Sequence, residues 1–497
     1  MGIIIRQSSW STLLSIAGII LGYLNVLYFF PQYLTPGQIG LTRVIQDFAM
    51  LMVPFAQLGT SHAIIRFFPT FVKDARKREG FFTLMLFLAT MGFVAFLLLL
   101  YLIKSPVIAI FSLKAPEVTT YLWLVFVLVY ILVLFNIITD FTLSHLNIIV
   151  PNFLKEILLR LLTTVSIALY VFGMVDFNEF LYCIVGIYFI NLLLLSVYLT
   201  YKGVIRINLS FINTFTFSDI KPIVQYGMFA LLGAGGTIII SKVDSIMVTS
   251  LLGTHFNGIY TTAFYMAVVI DVPRRMITQI STPLIARSLE NNRMNEIADI
   301  YSKSALNQLI VGLLLFIGLY VNLDNIYQLI PNSEIYVLGK WVVIFIGIGK
   351  LFDMGAGLNG EIIILSKYYK VNIILATTLA LFTISANLLF IPMYGITGAA
   401  LGTALSLIIF NVIKFLFVYY KFKLQPFTYN NLKVLVIGAA TLLIGCYIPE
   451  IDNIMADIVM RSAVILLVYS GAIVLTRSSA EVTHILQSIL RFIRKKQ

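Results

Sequence analysis

The sequence predicts an all-α, polytopic membrane protein of about fourteen transmembrane helices, arranged as two six-helix lobes plus two extra C-terminal helices. Three observations carry this expectation: an apolar composition, a series of apolar runs of membrane-spanning length, and a basic bias confined to alternate connections. The 497 residues are 60% hydrophobic and 11% charged, with a mean hydropathy of +0.97. A soluble domain is about 45–50% apolar and about 25% charged. Polar surface is too scarce here to cover the chain in water, so the surplus apolar surface is assigned to lipid. The formal charge of +12 is not gathered on one face, as nucleic-acid binding would need; it sits between the apolar runs.

A helix crosses the hydrocarbon core in about 20 residues. In chain order the predicted spans are 7–30, 38–61, 80–103, 117–139, 153–173, 178–200, 221–252, 256–280, 304–323, 338–364, 371–391, 396–418, 432–448 and 457–476. The first is too long for the apolar part of a cleavable leader and lacks a small-residue cleavage site, so it reads as a membrane helix. The span 221–252 exceeds what a crossing needs and holds Gly233, Gly235 and Gly236. Glycines accompany kinks, which predicts a bend there; close helix packing is the alternative. The charged, amphipathic segment Leu284 to Ser302 reads as a surface helix.

Of the 34 Lys and Arg residues, 27 fall in one set of alternate connections and the tails, Lys414 among them. Four (Lys104, Lys114, Lys340, Arg461) lie at the opposite ends, and Arg43, Lys242 and Lys350 lie within spans. Basic residues concentrate on the cytoplasmic side. Both termini are therefore expected in the cytoplasm, in a multi-pass membrane protein. The connections on the other side are short, the longest being Lys104 to Pro116.

An internal repeat appears at an offset of 218: Leu34-Thr-Pro-Gly-Gln-Ile-Gly40-Leu against Leu252-Gly-Thr-His-Phe-Asn-Gly258-Ile. Six spans separate the copies, so both insert in the same sense, as in transporters built from parallel repeats. This gives a domain organisation of 1–201 and 202–424 for the two lobes and 425–497 for the added helices and basic tail.

The same turns carry a family resemblance. The segment 33–69, YLTPGQIGLTRVIQDFAMLMVPFAQLGTSHAIIRFFP, resembles the second-helix region of polysaccharide flippases of the multidrug/oligosaccharidyl-lipid/polysaccharide (MOP) exporter superfamily. KVDSIMVTSLLGTHFNGIYTTA (242–263) is similar to the family's segment from helix seven to helix eight. IPMYGITGAALGTALS (391–406) is similar to its turn from helix eleven to helix twelve. The resemblance implies the O-antigen (Wzx-type) branch, which moves lipid-linked oligosaccharides in lipopolysaccharide and related surface polysaccharide biosynthesis. The implied partners are the lipid-linked oligosaccharide, membrane lipids and other polysaccharide assembly proteins, with no nucleic acid.

Charges inside spans are the candidate functional residues, because each costs about 2.5–3.5 kcal/mol at the bilayer centre. Arg43 and Asp47 share a helix face at i,i+4. Lys242 and Asp244 lie in one half of the seventh span, and Lys350 and Asp353 are i,i+3 at the middle of the tenth. Arg66, Asp271, Arg274 and Arg275 sit near basic ends. Arginine matches phosphate bidentately, so Arg43, Lys242, Lys350, Arg66, Arg274 and Arg275 are candidates for holding a pyrophosphate. Asp353, Asp47, Asp244 and Asp271 are candidates for ion coupling. The bland alternatives are structural ion pairs, Lys350 and Asp353 neutralising each other among them, and ordinary anchoring at the basic side.

Cys183, Cys446 and four scattered histidines offer no metal-ligand spacing, and no nucleophile–base pair is visible. No catalytic residue, metal or cofactor is therefore assigned. Gly355-Ala-Gly357-Leu-Asn-Gly360 matches a dinucleotide fingerprint but lies in a predicted membrane helix, and no acid follows Glu361 before Glu450. The leading expectation is secondary transport of a polyprenyl-pyrophosphate-linked oligosaccharide. A cation-coupled drug or metabolite exporter, a membrane-embedded polymerase or glycosyltransferase, and a non-transporting scaffold are the rivals.

Overall fold

The computed structural model describes residues 14–71, 75–145, 149–208 and 211–479. The start of the first predicted span and the basic residues Arg491, Arg494, Lys495 and Lys496 lie outside the described residues. Every described element is helical. The principal helices are α1 (Leu14–Tyr33), α2 (Pro36–Ala56), α3 (Thr60–Phe71), α4 (Ala75–Leu102), α5 (Lys104–Ser112), α6 (Leu122–Ser144), α7 (Leu159–Val171), α8 (Phe177–Tyr201) and α9 (Phe217–Leu252). They continue with α10 (Thr254–Val268), α11 (Val272–Glu290), α12 (Met294–Val321), α13 (Lys340–Gly355), α14 (Asn359–Leu365), α15 (Tyr369–Phe422), α16 (Tyr429–Cys446) and α17 (Ile454–Leu475). Ten described helices are long and apolar enough to cross a membrane. Among the described residues each predicted span falls on helix, and the fold is that of a polytopic helical membrane protein.

Several predicted spans are broken rather than straight. The second predicted span divides at Gln57–Gly59 into α2 and α3. The eighth divides at a 3-10 turn, Val269–Asp271, where Pro273 opens α11. The tenth stops at Gly355 and restarts at Asn359. There Gly357 holds φ +68°, and a side chain on it would meet Ala305 Cβ at 2.8 Å; the glycine run is thus a tight turn between helices. The eleventh and twelfth form α15, broken at Gly395, within the turn expected at 391–396. No separate surface helix occupies Leu284 to Ser302: α11 and α12 extend through it and meet at a turn in which Asn292 has φ +54°. The seventh span is one unbroken 36-residue helix.

By contacts the chain divides into Met1–Thr261 and Thr262–Gln497. A contact division is not a division by repeat symmetry, and the lobes drawn at 1–201, 202–424 and 425–497 remain a proposal. In the first unit, α2, α4, α6 and α8 share an apolar core including Val44, Met85, Leu128 and Leu195, with Ile223 of α9. The repeat has a direct structural counterpart within this unit. A side chain on Gly40 would meet the Thr254 carbonyl oxygen at 1.8 Å, and one on Gly258 would meet that of Pro36 at 2.0 Å. Pro36 and Thr254 are themselves equivalent at the 218-residue offset. The two turns therefore pack reciprocally, as self-complementary surfaces do across a two-fold axis. Asn257 Nδ2 donates to the Gly40 carbonyl at 3.1 Å, closing the contact.

In the second unit α16 and α17 pack on α12 through Val434, Ile465, Tyr469 and Leu309. Tyr469 Oη donates to the Ile310 carbonyl at 3.0 Å. The two added helices are thus docked on this unit.

Candidate functional site

Charged side chains within spans are accommodated by pairing between helices. In the first unit Lys242 of α9 donates to Asp47 of α2 at 2.6 Å. Asp244, two residues on, turns elsewhere and accepts from Tyr260 Oη at 2.7 Å, both residues being buried. The Arg43 guanidinium lies 5.6 Å from the Phe30 ring centroid. Arg66, on α3, stacks over Tyr226 of α9 at 4.4 Å, a cation–π contact made by an exposed cation.

The second unit gathers more charge. Arg274 Nε is 3.1 Å from Asp353 Oδ2, and Arg274 Nη2 is 4.0 Å from Glu361 Oε1. Asn411 Nδ2 donates to Asp353 Oδ1 at 2.8 Å, and Asn359 Nδ2 donates to Asn411 Oδ1 at 3.3 Å. Lys350 Nζ lies 3.7 Å from Asp271 Oδ2, whose other neighbour is Arg275 Nε at 3.1 Å. Lys350 and Asp353 therefore form no ion pair with each other. One turn apart on α13, they reach different partners: Asp271 for the lysine, Arg274 for the aspartate.

Helix ends explain why these partners are needed. Arg274 sits in the first turn of α11 and Asp353 in the last turn of α13. A helix dipole disfavours a cation at its N-terminus and an anion at its C-terminus. Each charge is at its unfavourable end, and pairing them offsets both. The breaks at 269–271 and 356–358 bring these ends together.

Sequence reasoning missed Lys414, Glu361, Asn359 and Asn411. Lys414 was counted with the basic connections; it is buried in α15, 5% exposed. Its ammonium lies 4.2 Å from the Phe410 ring centroid and would be 3.6 Å from a side chain on Gly360. Among the described residues it has no hydrogen bond or ion pair. Glu361 Oε2, Asn359 Oδ1 and Asp271 Oδ1 are likewise buried without a hydrogen-bond partner. The signal was available: Asn411 and Lys414 lie i,i+3 in an apolar span, where polar residues are functional candidates by default. No group of three or more His, Cys, Asp or Glu residues suited to a metal occurs among the described residues.

Residues 4–289 match the family described as polysaccharide biosynthesis protein, more than half of the chain. The chain belongs to the polysaccharide biosynthesis protein family. Solved structures carry the same fold as this family member. The lipid II flippase MurJ, in an inward closed conformation, matches with a TM-score of 0.73 at 16% identity, covering 93% of this chain and 97% of that one. An inward-facing multidrug resistance MATE transporter of the MOP superfamily matches at 0.64 and 14% identity, covering 84% and 98%. The Vibrio cholerae MATE transporter VcmN, in its bent form, matches at 0.53 and 14%, covering 85% and 98%. No curated protein matches the chain by sequence. The family member is thus a multi-pass membrane protein with the fold of MOP transporters.

Proposed function

We propose that this protein is a secondary transporter, not an enzyme, that flips a polyprenyl-pyrophosphate-linked oligosaccharide across the bacterial plasma membrane during surface polysaccharide biosynthesis, with both termini cytoplasmic. The observation that carries the reading is the buried charge network of the second unit. Arg274, Lys350 and Lys414 lie among Asp271, Asp353 and Glu361, and several of their polar atoms are unsatisfied. A membrane helix needs none of these groups to pack, and each is costly in lipid. The family and the likeness to a lipid II flippase support a lipid-linked anionic substrate.

In this scheme Arg43, Lys242, Lys350, Arg66, Arg274 and Arg275 bind or guide the pyrophosphate. Asp353, Asp47 and Asp271 hold cations when substrate is absent, and together with Asp244 they link transport to an ion. The driving force is a proton or sodium gradient, or the membrane potential acting on the anion. O-antigen and lipopolysaccharide assembly is the pathway the resemblance suggests, alongside other assembly proteins. The fold shared with MATE transporters favours a second reading, cation-coupled export of a small molecule. A deletion strain separates the two. Loss of surface polysaccharide with build-up of the completed lipid-linked precursor supports the flippase; unchanged polysaccharide with heightened drug sensitivity supports the exporter.

A further inference from the structure

A cavity of about 420 Å³ lies in the first unit at the end of α4 remote from Lys77. Leu97, Leu100, Ile108, Leu122, Trp123 and Phe126 form its apolar wall, and Lys104, Thr119 and Thr120 its polar edge. No acidic residue lines it. Lys104 and Thr120 are exposed, and neither side chain has a hydrogen-bond or ion-pair partner among the described residues. Thr119, by contrast, is spent on the Pro116 carbonyl at 2.6 Å. Around the mouth stand Tyr101, Trp123 and Tyr182, the last two with ring centroids 5.7 Å apart. Tyr and Trp collect at headgroup depth, which places the polar edge where lipid phosphates lie.

We propose that this groove binds one anionic phospholipid, an acyl chain along the apolar wall and the phosphate on Lys104 and Thr120. The volume is at the low end for ligand sites, enough for part of one chain. That chain gains little by leaving bulk lipid, because lipid tails are as apolar as leucine. Any preference must therefore come from the headgroup, and an unpaired ammonium and a free hydroxyl in a lining that holds no acid select negative charge, the nearby Glu117 being engaged by the Thr254 hydroxyl. The inference is independent of the transport reading.

Trp123 is a reporter within the lining. With Trp10 and Trp341 replaced by Phe, it is the sole tryptophan. The purified protein is placed in phosphatidylcholine vesicles containing graded amounts of dibrominated phosphatidylglycerol or dibrominated phosphatidylcholine, and Trp123 fluorescence is followed. Brominated phosphatidylglycerol is expected to reach half-maximal quenching at about fivefold lower mole fraction. Lys104→Gln should abolish that preference and Lys104→Arg should keep it. Equal quenching by the two lipids, a preference that survives Lys104→Gln, or no quenching by either overturns the proposal.

Discussion

Arg274 and Asp353, 79 positions apart in sequence and on different helices, meet at 3.1 Å where a helix start faces a helix end. Removing one partner of a buried pair costs about 3–5 kcal/mol, because the other charge is left uncompensated. Arg274→Met and Asp353→Asn should each lower thermal stability in detergent. The double variant should lose clearly less than the sum. Additive losses would show that the pair is not coupled.

Lys242 and Asp47 make the corresponding contact in the first unit at 2.6 Å, with the lysine side chain 29% exposed. Its stability contribution is accordingly smaller than that of the buried pair. Lys242→Asp with Asp47→Lys swaps the two charges across the contact and keeps an opposite-charge pair there. This exchange should restore the membrane protein level that either single change lowers, measured by immunoblot. Failure of the exchange to restore it would separate the two residues.

The reciprocal turns predict a steep size dependence. Gly40→Val and Gly258→Val each force backbone atoms apart, since even a Cβ would sit at 1.8 Å and 2.0 Å from carbonyl oxygens. The loss should exceed the roughly 1–3 kcal/mol of ordinary overpacking. Gly186, in α8, has open space where a Cβ would stand, with nothing within 4 Å. Gly186→Ala should therefore stabilise, by about 0.5–1 kcal/mol. Thermal melts of the three variants check the contrast.

At the foot of α9, before the predicted span 221–252, Lys77 donates to Asp219 Oδ1 at 2.7 Å. That hydrogen bond from the ammonium holds the Asp219 carboxyl below the usual carboxylate range. A lowered folded-state value means stability that is present above the unfolded value and is lost as pH falls through the folded one. The melting difference between wild type and Asp219→Asn should be constant near neutrality and shrink in acid. A difference that persists or grows in acid would refute the pairing. Both side chains are partly exposed, so the effect should also weaken with salt.

The helices were legible in the sequence because twenty-residue apolar runs have few other fates in a chain this poor in charge. The reciprocal turn was legible as a repeat, since Gly40 and Gly258 occupy matching positions for one steric reason. Breaks at 57–59, 269–271 and 356–358 were not, because hydropathy averages over a turn that neighbouring helices bury. Pairing was the least legible feature. Spacing along one helix set Lys350 beside Asp353, whereas helix packing gives them Asp271 and Arg274. Lys414 was hidden by its position near a basic connection, and only the fold reveals its burial.

The most direct measurement uses proteoliposomes loaded with a fluorescent polyprenyl-pyrophosphate-linked oligosaccharide, with a membrane-impermeant quencher added outside under an imposed ion gradient or potential. The proposed function predicts that wild-type protein brings inner-leaflet label to the quencher, and that Arg274→Gln and Lys414→Met proteins of normal fold do not. Wild-type vesicles that leave the inner-leaflet label protected, or variants that move it at the wild-type rate, would contradict it.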